Sequence, residues 1–171
     1  DDIVHLKGQG SIDKDDFFKI INFIGRKNIL DADADLEISI DVSSENKTLT
    51  ICDTGIGMTR DEVNENIGTI AHSGSADFVK NLSEASESEK EQQLKLIGQF
   101  GVGFYSVFMV ADRVVVTTRS AEVDATAVSW DSTGDGSYTL ADADMTNRGT
   151  EIKIYVRSDC DEFLDVHRLE N

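Results

Sequence analysis

The chain has 171 residues, 39% of them hydrophobic, which suits one globular domain that buries roughly two thirds of its unfolded surface. Its 33 acidic and 16 basic side chains give a formal net charge of −17, which argues against binding to nucleic acid or to an anionic membrane. No run reaches the roughly 18 apolar residues that cross a bilayer, and Cys52 and Cys160 lack the spacing of a metal site or a disulfide framework.

The chain begins with a polar, charged stretch. Residues 1–16 predict a flexible acidic arm, and residues 17–171 are interpreted as one domain. A dense apolar patch at residues 17–24 predicts a short helix that packs on the core of this domain.

A β-hairpin is predicted next. Apolar and polar residues alternate over residues 36–42, and the same alternation returns over residues 49–51. Residues 46–47 predict a turn between the two segments. The two-residue period is typical of half-buried strands, so we expect a hairpin that ends at Asp53.

The rest of the chain predicts one helix followed by several strands. Acidic residues follow Thr59 at the head of an amphipathic run to Asn66, which is typical of a helix N-terminus. The strand candidates are residues 113–118, 126–130, 137–140 and 151–156, and residues 158–169 predict a closing helix. Hairpin-spaced strands with helices grouped elsewhere predict an α+β fold, a two-layer sandwich whose mostly antiparallel sheet is covered on one face by helices.

Two glycine-rich segments indicate a binding site for phosphates. They are residues 53–58 (Asp-Thr-Gly-Ile-Gly-Met) and residues 98–106 (Gly-Gln-Phe-Gly-Val-Gly-Phe-Tyr-Ser). Glycine tolerates positive φ and close approach, so backbone N–H groups can crowd toward an anion. The apolar run from Phe104 predicts a buried helix whose positive N-terminal end faces the phosphates. Because a long polar stretch joins the two segments, we expect a nucleotide site with a lid over about residues 67–103.

Asp53 closes a strand and precedes two glycines, so its carboxylate can point into a pocket with a glycine floor. An acceptor at that position suits the exocyclic amine of adenine and disfavours the carbonyl of guanine. The alternative is an ordinary turn aspartate. Met58 would pack on the base, although a methionine here is by itself more often part of the core. In so acidic a chain the phosphates would need a cation, so we expect ATP or ADP with Mg²⁺.

These motifs resemble the N-terminal ATP-binding domain of the ninety-kilodalton heat-shock protein chaperones. The other segments that carry the likeness are residues 66–74 (Asn-Ile-Gly-Thr-Ile-Ala-His-Ser-Gly) and 148–150 (Arg-Gly-Thr), in the same order and spacing. More broadly the chain is similar to the GHKL ATPase superfamily, which includes gyrase subunits, mismatch-repair ATPases and sensor histidine kinases. Residues 97–106 are specific to the chaperone branch, and the likeness covers about residues 26–169.

The resemblance implies a role for each matching residue. Asp53 would bind the adenine amine directly, and a water held by Gly57 and Thr150 would complete the contacts to the base. Asn66 would reach the ribose or the α-phosphate, with a helix-surface amide as the alternative. The residues whose backbone would cradle the phosphates are Gly101, Val102, Gly103 and Phe104, and the ring of Phe104 would belong to the core.

Two positions between these motifs also match. His72 stands where the family usually has lysine, so binding there would be weaker or pH-sensitive, because a neutral imidazole brings no fixed charge. A solvated helix-end histidine is the alternative. Ser73 is a candidate phosphate donor.

The catalytic residues of the family have no match. The family places a glutamate base and a magnesium-binding asparagine four residues apart on a helix before the first hairpin, but ungapped counting from Leu36 reaches Gly8 and Ile12. About fifty residues of the family's domain, including its first strand and first two helices, have no match in this sequence, so no catalytic or metal-binding residue is assigned. A catalytically silent nucleotide-binding or regulatory module is therefore an alternative function.

The resemblance also implies partners and a location. The function expected is a chaperone domain that couples nucleotide binding and lid closure to the folding of client proteins. Clients, co-chaperones and homodimerisation would involve parts of the full-length molecule outside this chain. The acidic arm and the polar stretch between residues 81 and 96 are similar to endoplasmin, which predicts the lumen of the endoplasmic reticulum, with the cytoplasm as the alternative. A DNA-linked or signalling GHKL enzyme is a third interpretation.

Overall fold

The computed structural model describes residues 29–68 and 103–165, together with the backbone of residues 2–5. Seven strands run through these segments: β1 Asp2–His5, β2 Ile38–Ser43, β3 Thr48–Asp53, β4 Ala111–Arg119, β5 Val128–Ser132, β6 Thr139–Asp142 and β7 Gly149–Val156. The helical elements are α1 Arg60–Val63, a π-helix Asn64–Gly68 and two 3₁₀ helices, Gly103–Met109 and Asp161–Leu164. None of the helices in these described ranges is long and apolar enough to cross a membrane.

All strand pairs are antiparallel, and they form one sheet in the order β1-β2-β3-β7-β4-β5-β6. The predicted hairpin is confirmed as β2 and β3, with Ile38 opposite Asp53 and Ser43 opposite Thr48. Lys47 in the connecting turn has a φ of 52°, the left-handed conformation that such a tight reversal requires. The α+β fold class with a mostly antiparallel sheet is therefore confirmed.

The first residues differ from the flexible arm that the sequence predicted. Residues 2–5 form β1, which pairs antiparallel with β2 from Asp2 opposite Val42 to His5 opposite Ser39. Backbone pairing to an edge strand compensates for the polar composition of this segment. The remaining arm, the helix expected at residues 17–24 and most of the lid lie outside the described residues.

The two faces of the sheet differ sharply in polarity. One cross-strand row of apolar side chains runs across six strands: Ile40, Ile51, Ile152, Val116, Trp130 and Leu140. The neighbouring row on the opposite face is mostly polar: Asp41, Thr50, Lys153, Val115, Asp131 and Thr139. Because apolar and polar side chains alternate between the two faces, the sequence shows a period of two. The hydrophobic core lies on the face that carries the apolar row.

Short helical elements cover the core face. Val63 of α1 and Ile67 of the π-helix are buried against the sheet, as are Tyr105 and Phe108 of the first 3₁₀ helix. The start of α1 is fixed by a capping box with Thr59, whose backbone N–H donates to Glu62 at 2.8 Å. The helix predicted from Thr59 is thus confirmed at its beginning, and it continues as a π-helix instead of ending at Asn66.

Two predicted helices are different in the structure. The apolar run from Phe104 forms a seven-residue 3₁₀ helix, which has few aligned peptide dipoles to sum at its N-terminus. The prediction of a closing helix over residues 158–169 is wrong for the part described. Only Asp161–Leu164 is helical, as a single 3₁₀ turn, and Asp165 has already returned to an extended conformation with a ψ of 110°.

Candidate functional site

The candidate site lies on the core face of the sheet, at the edge where β3 and β4 end and β7 begins. Asp53 pairs with Thr150 on β7, and Thr150 pairs with Thr118 on β4. This row adjoins the apolar row, because Asp53 is two residues beyond Ile51 and therefore shares its face. Residues opposite each other in antiparallel strands have Cβ atoms about 5 Å apart, so three polar side chains are brought side by side.

The carboxylate of Asp53 is partly withdrawn from water. One of its oxygens, Oδ1, accepts a hydrogen bond from the backbone N–H of Gly55 at 2.8 Å. Burial raises the pKa of Asp53 above its usual 3.8, while hydrogen bonds from the backbone of Gly55 and Thr150 and the charge of Arg148 oppose that shift. Asp53 is therefore a half-buried acceptor held in a fixed direction, and its bond from the N–H two residues on is the contact that a turn aspartate makes.

The turn after Asp53 requires glycine at specific places. Gly57 has a φ of 56°, and a Cβ there would collide with the carbonyl oxygen of Arg119. Gly149, next to Thr150, has a φ of 126°, and a Cβ there would collide with the carbonyl oxygen of Asp53. These close backbone approaches bring residue 57 against the ends of β4 and β7. The predicted residues Asp53, Gly57 and Thr150 are thus brought together.

Thr118 belongs to this cluster and was missed by the sequence interpretation. Its side chain is fully buried, and its Oγ1 accepts a hydrogen bond from the N–H of Met58 at 3.0 Å. The same atom donates to the carbonyl oxygen of Gly149 at 2.9 Å and lies 3.1 Å from Oγ1 of Thr150. The available signal was the alternation Val114, Val116, Thr118, which puts one hydroxyl on an otherwise apolar face.

Arg148 was recognised only as part of a motif, and the structure gives it a definite position. Its side chain is buried, and Nη1 donates to the carbonyl oxygens of Thr54 and Gly55, at 2.7 Å for Gly55. Burial lowers the pKa of its guanidinium, while the charges of Asp31 and Asp53 oppose that shift. The buried guanidinium of Arg148 thus stabilises the turn at Thr54 and Gly55 and interacts electrostatically with the carboxylate of Asp53.

The other predicted site residues are less closely gathered. Asn66 is exposed on the π-helix, and Met58 is half-buried and packs against the core. The ring of Phe104 packs edge-on against Trp130, with 5.7 Å between the centroids, which agrees with a core role for this ring. Gly103 is the first residue of the first 3₁₀ helix. His72, Ser73, Gly101 and Val102 lie outside the described residues.

A cavity of about 540 Å³ lies on another side of the Thr54 turn. Its walls are Asp31, Ala32, Asp33, Ala34, Thr54, Asn147 and Arg148. It does not include Asp53, and no sequence motif predicted it. The cavity and the carboxylate cluster are therefore separate features that share only the turn and Arg148.

The described residues do not provide a preformed cage for a metal ion. Within residues 29–68 and 103–165 no three His, Cys, Asp or Glu side chains are grouped so that they could hold one. Mg²⁺ in nucleotide sites is usually held by phosphates, waters and one or two protein ligands, so these residues offer at most part of its coordination.

The fold and the cluster define the class of protein. A model of the family described as histidine kinase-, DNA gyrase B-, and HSP90-like ATPases matches residues 26–157, which is most of the chain. The chain therefore belongs to this ATPase family, and the resemblance to the GHKL superfamily is confirmed.

Among individual relatives, the chain is similar to bacterial proteins named Chaperone protein HtpG. The protein from Idiomarina loihiensis is 51% identical over 138 residues, or 80% of this chain, and that from Coxiella burnetii is 54% identical over the same length. The protein from Yersinia pestis is 47% identical over 149 residues, or 86% of this chain. The chain spans only 21% to 23% of the length of these relatives.

These relatives correct two expectations. The likeness to endoplasmin in particular is not supported, because the matching chaperones are bacterial. The expected location in the lumen of the endoplasmic reticulum is wrong for the same reason, since bacteria have no such compartment. The acidic arm and the polar stretch were compositional features, and composition does not distinguish one chaperone paralogue from another.

Proposed function

We propose that this chain is the adenine-nucleotide-binding part of an HtpG-like chaperone, in which nucleotide binding and lid closure are coupled to the folding of client proteins. The observation that carries the proposal is the cluster at the end of the sheet. It joins the half-buried carboxylate of Asp53 to the hydroxyl of Thr150 and to the close backbone turn at Gly57. Membership of an ATPase family and 47% to 54% identity to bacterial chaperones support it.

The ligand would be ATP or ADP with Mg²⁺. An ionised carboxylate only accepts hydrogen bonds, so Asp53 suits the exocyclic amine of adenine. Met58 would lie against the base, Asn66 would contact the ribose or α-phosphate, and the glycine segment up to Phe104 would receive the phosphates. His72 and Ser73 remain predicted phosphate contacts, and the lid over residues 67–103 remains a prediction as well.

Calorimetric titration of the chain with ADP and Mg²⁺ tests this proposal. We expect a saturable heat that disappears in Asp53→Asn, because the amide would present an N–H or a weaker acceptor to the amine. Asp41→Asn is the matched control, since Asp41 lies on the opposite face of the sheet, on β2. No heat at millimolar ligand for the unmodified chain, or equal loss in both variants, would contradict the proposal.

The interactions of the whole protein are also part of the proposal. Client proteins and co-chaperones would bind the full-length molecule, which would form a homodimer through regions beyond this chain. Since the relatives are bacterial, the cytoplasm is the location that fits. Suppression of client aggregation by the full-length protein, dependent on Asp53, would be the corresponding measurement.

The alternative of a catalytically silent module has no support from the family comparison, because the matching model describes ATPases. A DNA-linked or signalling enzyme is disfavoured by the identity to chaperones. Phosphate release from ATP above background by the purified chain, lost in Asp53→Asn, would agree with an ATPase.

A further inference from the structure

Tyr105 connects two segments that are far apart in the sequence. Its backbone belongs to the first 3₁₀ helix, and its hydroxyl donates a hydrogen bond to the backbone carbonyl of Ile67 in the π-helix, 38 residues earlier. The side chain of Tyr105 is fully buried, so water does not compete for this bond. The separation of the two helical elements is therefore set by the length of one tyrosine side chain.

The ring of Tyr105 is held by other aromatic side chains. It packs edge-on against Phe104, with 5.5 Å between the centroids, and its centroid lies 5.9 Å from that of Phe108. Phe104 in turn packs edge-on against the fully buried ring of Trp130. Such aromatic pairs add to the stabilisation that burial provides. The hydroxyl of Tyr105 is therefore a donor in a fixed position.

A second contact restrains the end of the π-helix. Gly68 lies so close to Tyr138 that a Cβ on it would be 2.5 Å from the hydroxyl oxygen and 2.7 Å from Cζ of that ring. Tyr138 stacks on Trp130 with 6.0 Å between the centroids, so its ring cannot retreat without disturbing the core. Ile67 and Gly68 are thus fixed from two sides, and so is the backbone of Asn66, which directly precedes them.

The two elements that Tyr105 joins carry separate parts of the proposed nucleotide site. Asn66 on the π-helix is the proposed contact to the ribose or α-phosphate, and the backbone of Gly103 and Phe104 is the proposed contact to the phosphates. We propose that Tyr105 is a positioning residue, whose bond to the carbonyl of Ile67 holds Asn66 at the distance from this backbone that a nucleoside diphosphate requires. The inference rests on the proposed function, since it assigns a role in the same site to a fully buried residue.

Only a ligand with phosphates would contact both elements. Without the hydroxyl of Tyr105, the π-helix is free to shift relative to the 3₁₀ helix, and ADP would have to restore their separation as it binds. Ordering a site during binding lowers affinity. Adenosine carries no phosphate and is held at the sheet through its base, so its binding does not depend on this separation. The affinity that the phosphates add should therefore fall, and the affinity for the nucleoside should not.

The test compares the dissociation constants of Mg-ADP and adenosine by calorimetry, with adenosine measured in competition with ADP. Tyr105→Phe keeps the ring and removes the hydroxyl, so it should weaken ADP binding about tenfold and leave adenosine binding unchanged. Tyr138→Phe is the matched control, because it removes the hydroxyl of another tyrosine that contacts the π-helix, through the side chain of Asn64. It should leave both dissociation constants unchanged.

Gly68→Ala provides a second readout if Tyr105→Phe does not fold. Its Cβ would push the end of the π-helix away from Tyr138, so it should also weaken ADP binding and leave adenosine binding unchanged. The inference is overturned if folded Tyr105→Phe or folded Gly68→Ala binds ADP as the unmodified chain does. It is equally overturned if Tyr105→Phe weakens ADP and adenosine alike, or if Tyr138→Phe has the same effect. Failure of the unmodified chain to bind ADP would instead overturn the proposed function, and this inference with it.

Discussion

The guanidinium of Arg148 donates to the carbonyl oxygen of Gly55 at 2.7 Å. Arg148 directly precedes β7, so a side chain beside that strand holds the turn that follows Asp53. Its backbone N–H also donates to the carboxylate of Asp31 at 3.3 Å. Arg148 thus connects three segments that are distant in the sequence. The position of the Asp53 turn therefore depends on one buried cation.

Replacing Arg148 by leucine should destabilise the fold by about 3 kcal/mol, because the partly buried carbonyls of Thr54 and Gly55 lose their donor and the turn loses its support. The measurement is the free energy of unfolding in urea. Arg60→Leu is the control, since Arg60 forms an exposed ion pair with Asp142 and its loss should cost under about 1 kcal/mol. Equal effects of the two variants would contradict a supporting role for Arg148.

A second prediction concerns Gly57. Substitution by alanine should cost at least about 2 kcal/mol and abolish ADP binding, because φ is 56° and the Cβ would collide with the carbonyl of Arg119. Thermal unfolding and calorimetry measure the two effects. Gly136→Ala is the control for backbone conformation, since its φ is 90° but it lies in the β5–β6 turn at the other end of the sheet. It should lower stability and leave ADP binding intact.

The features that the sequence predicted correctly are those that depend on residues close together in the chain. The β2–β3 hairpin was predicted because one buried face imposes a period of two on adjacent residues. The start of α1 was predicted because Thr59 and Glu62 form a capping box within four residues. Asp53, Gly57 and Thr150 were predicted through family motifs, and the structure brings them together.

The features that were missed depend on contacts between distant residues. Thr118 looks like any strand threonine until the pairing of β4 with β7 puts it beside Thr150. From the sequence, Arg148 resembles an ordinary loop cation. Its buried contact with the carbonyl of Gly55, 93 residues earlier, is visible only in the structure. The closing helix predicted over residues 158–169 is wrong for its described part, where one 3₁₀ turn ends at Leu164 and Asp165 is extended.

Asp53 should make the free energy of unfolding of the chain depend on pH. Burial raises the pKa of its carboxyl above 3.8, so the folded state holds this proton more tightly than the unfolded state. The resulting stabilisation is fully present below pH 3.8 and is lost as the pH rises through the raised pKa. At neutral pH the ionised carboxylate of Asp53 therefore lowers the free energy of unfolding.

Urea unfolding of Asp53→Asn at two pH values measures this effect. At pH 7 the variant should be at least as stable as the unmodified chain although it loses ADP binding, and this advantage should shrink as the pH falls toward 3.8. Asp41→Asn, on the opposite face of the sheet, is the control for the removal of one carboxylate by the same substitution. A variant that is less stable at neutral pH would show that the hydrogen bonds from Gly55 and Thr150 outweigh burial.

The last prediction separates the two asparagines of the π-helix. Asn66 is exposed on the π-helix and is the proposed contact to the ribose or α-phosphate. Asn66→Ala should therefore lower ADP affinity about tenfold without changing the unfolding free energy by more than about 0.5 kcal/mol. Asn64 accepts a hydrogen bond from the hydroxyl of Tyr138 at 2.6 Å, so Asn64→Ala should lower stability by about 1 kcal/mol and leave affinity unchanged. Calorimetry and urea unfolding on both variants distinguish a ligand contact from a helix-surface amide. Unchanged ADP affinity in Asn66→Ala would assign Asn66 to the helix surface.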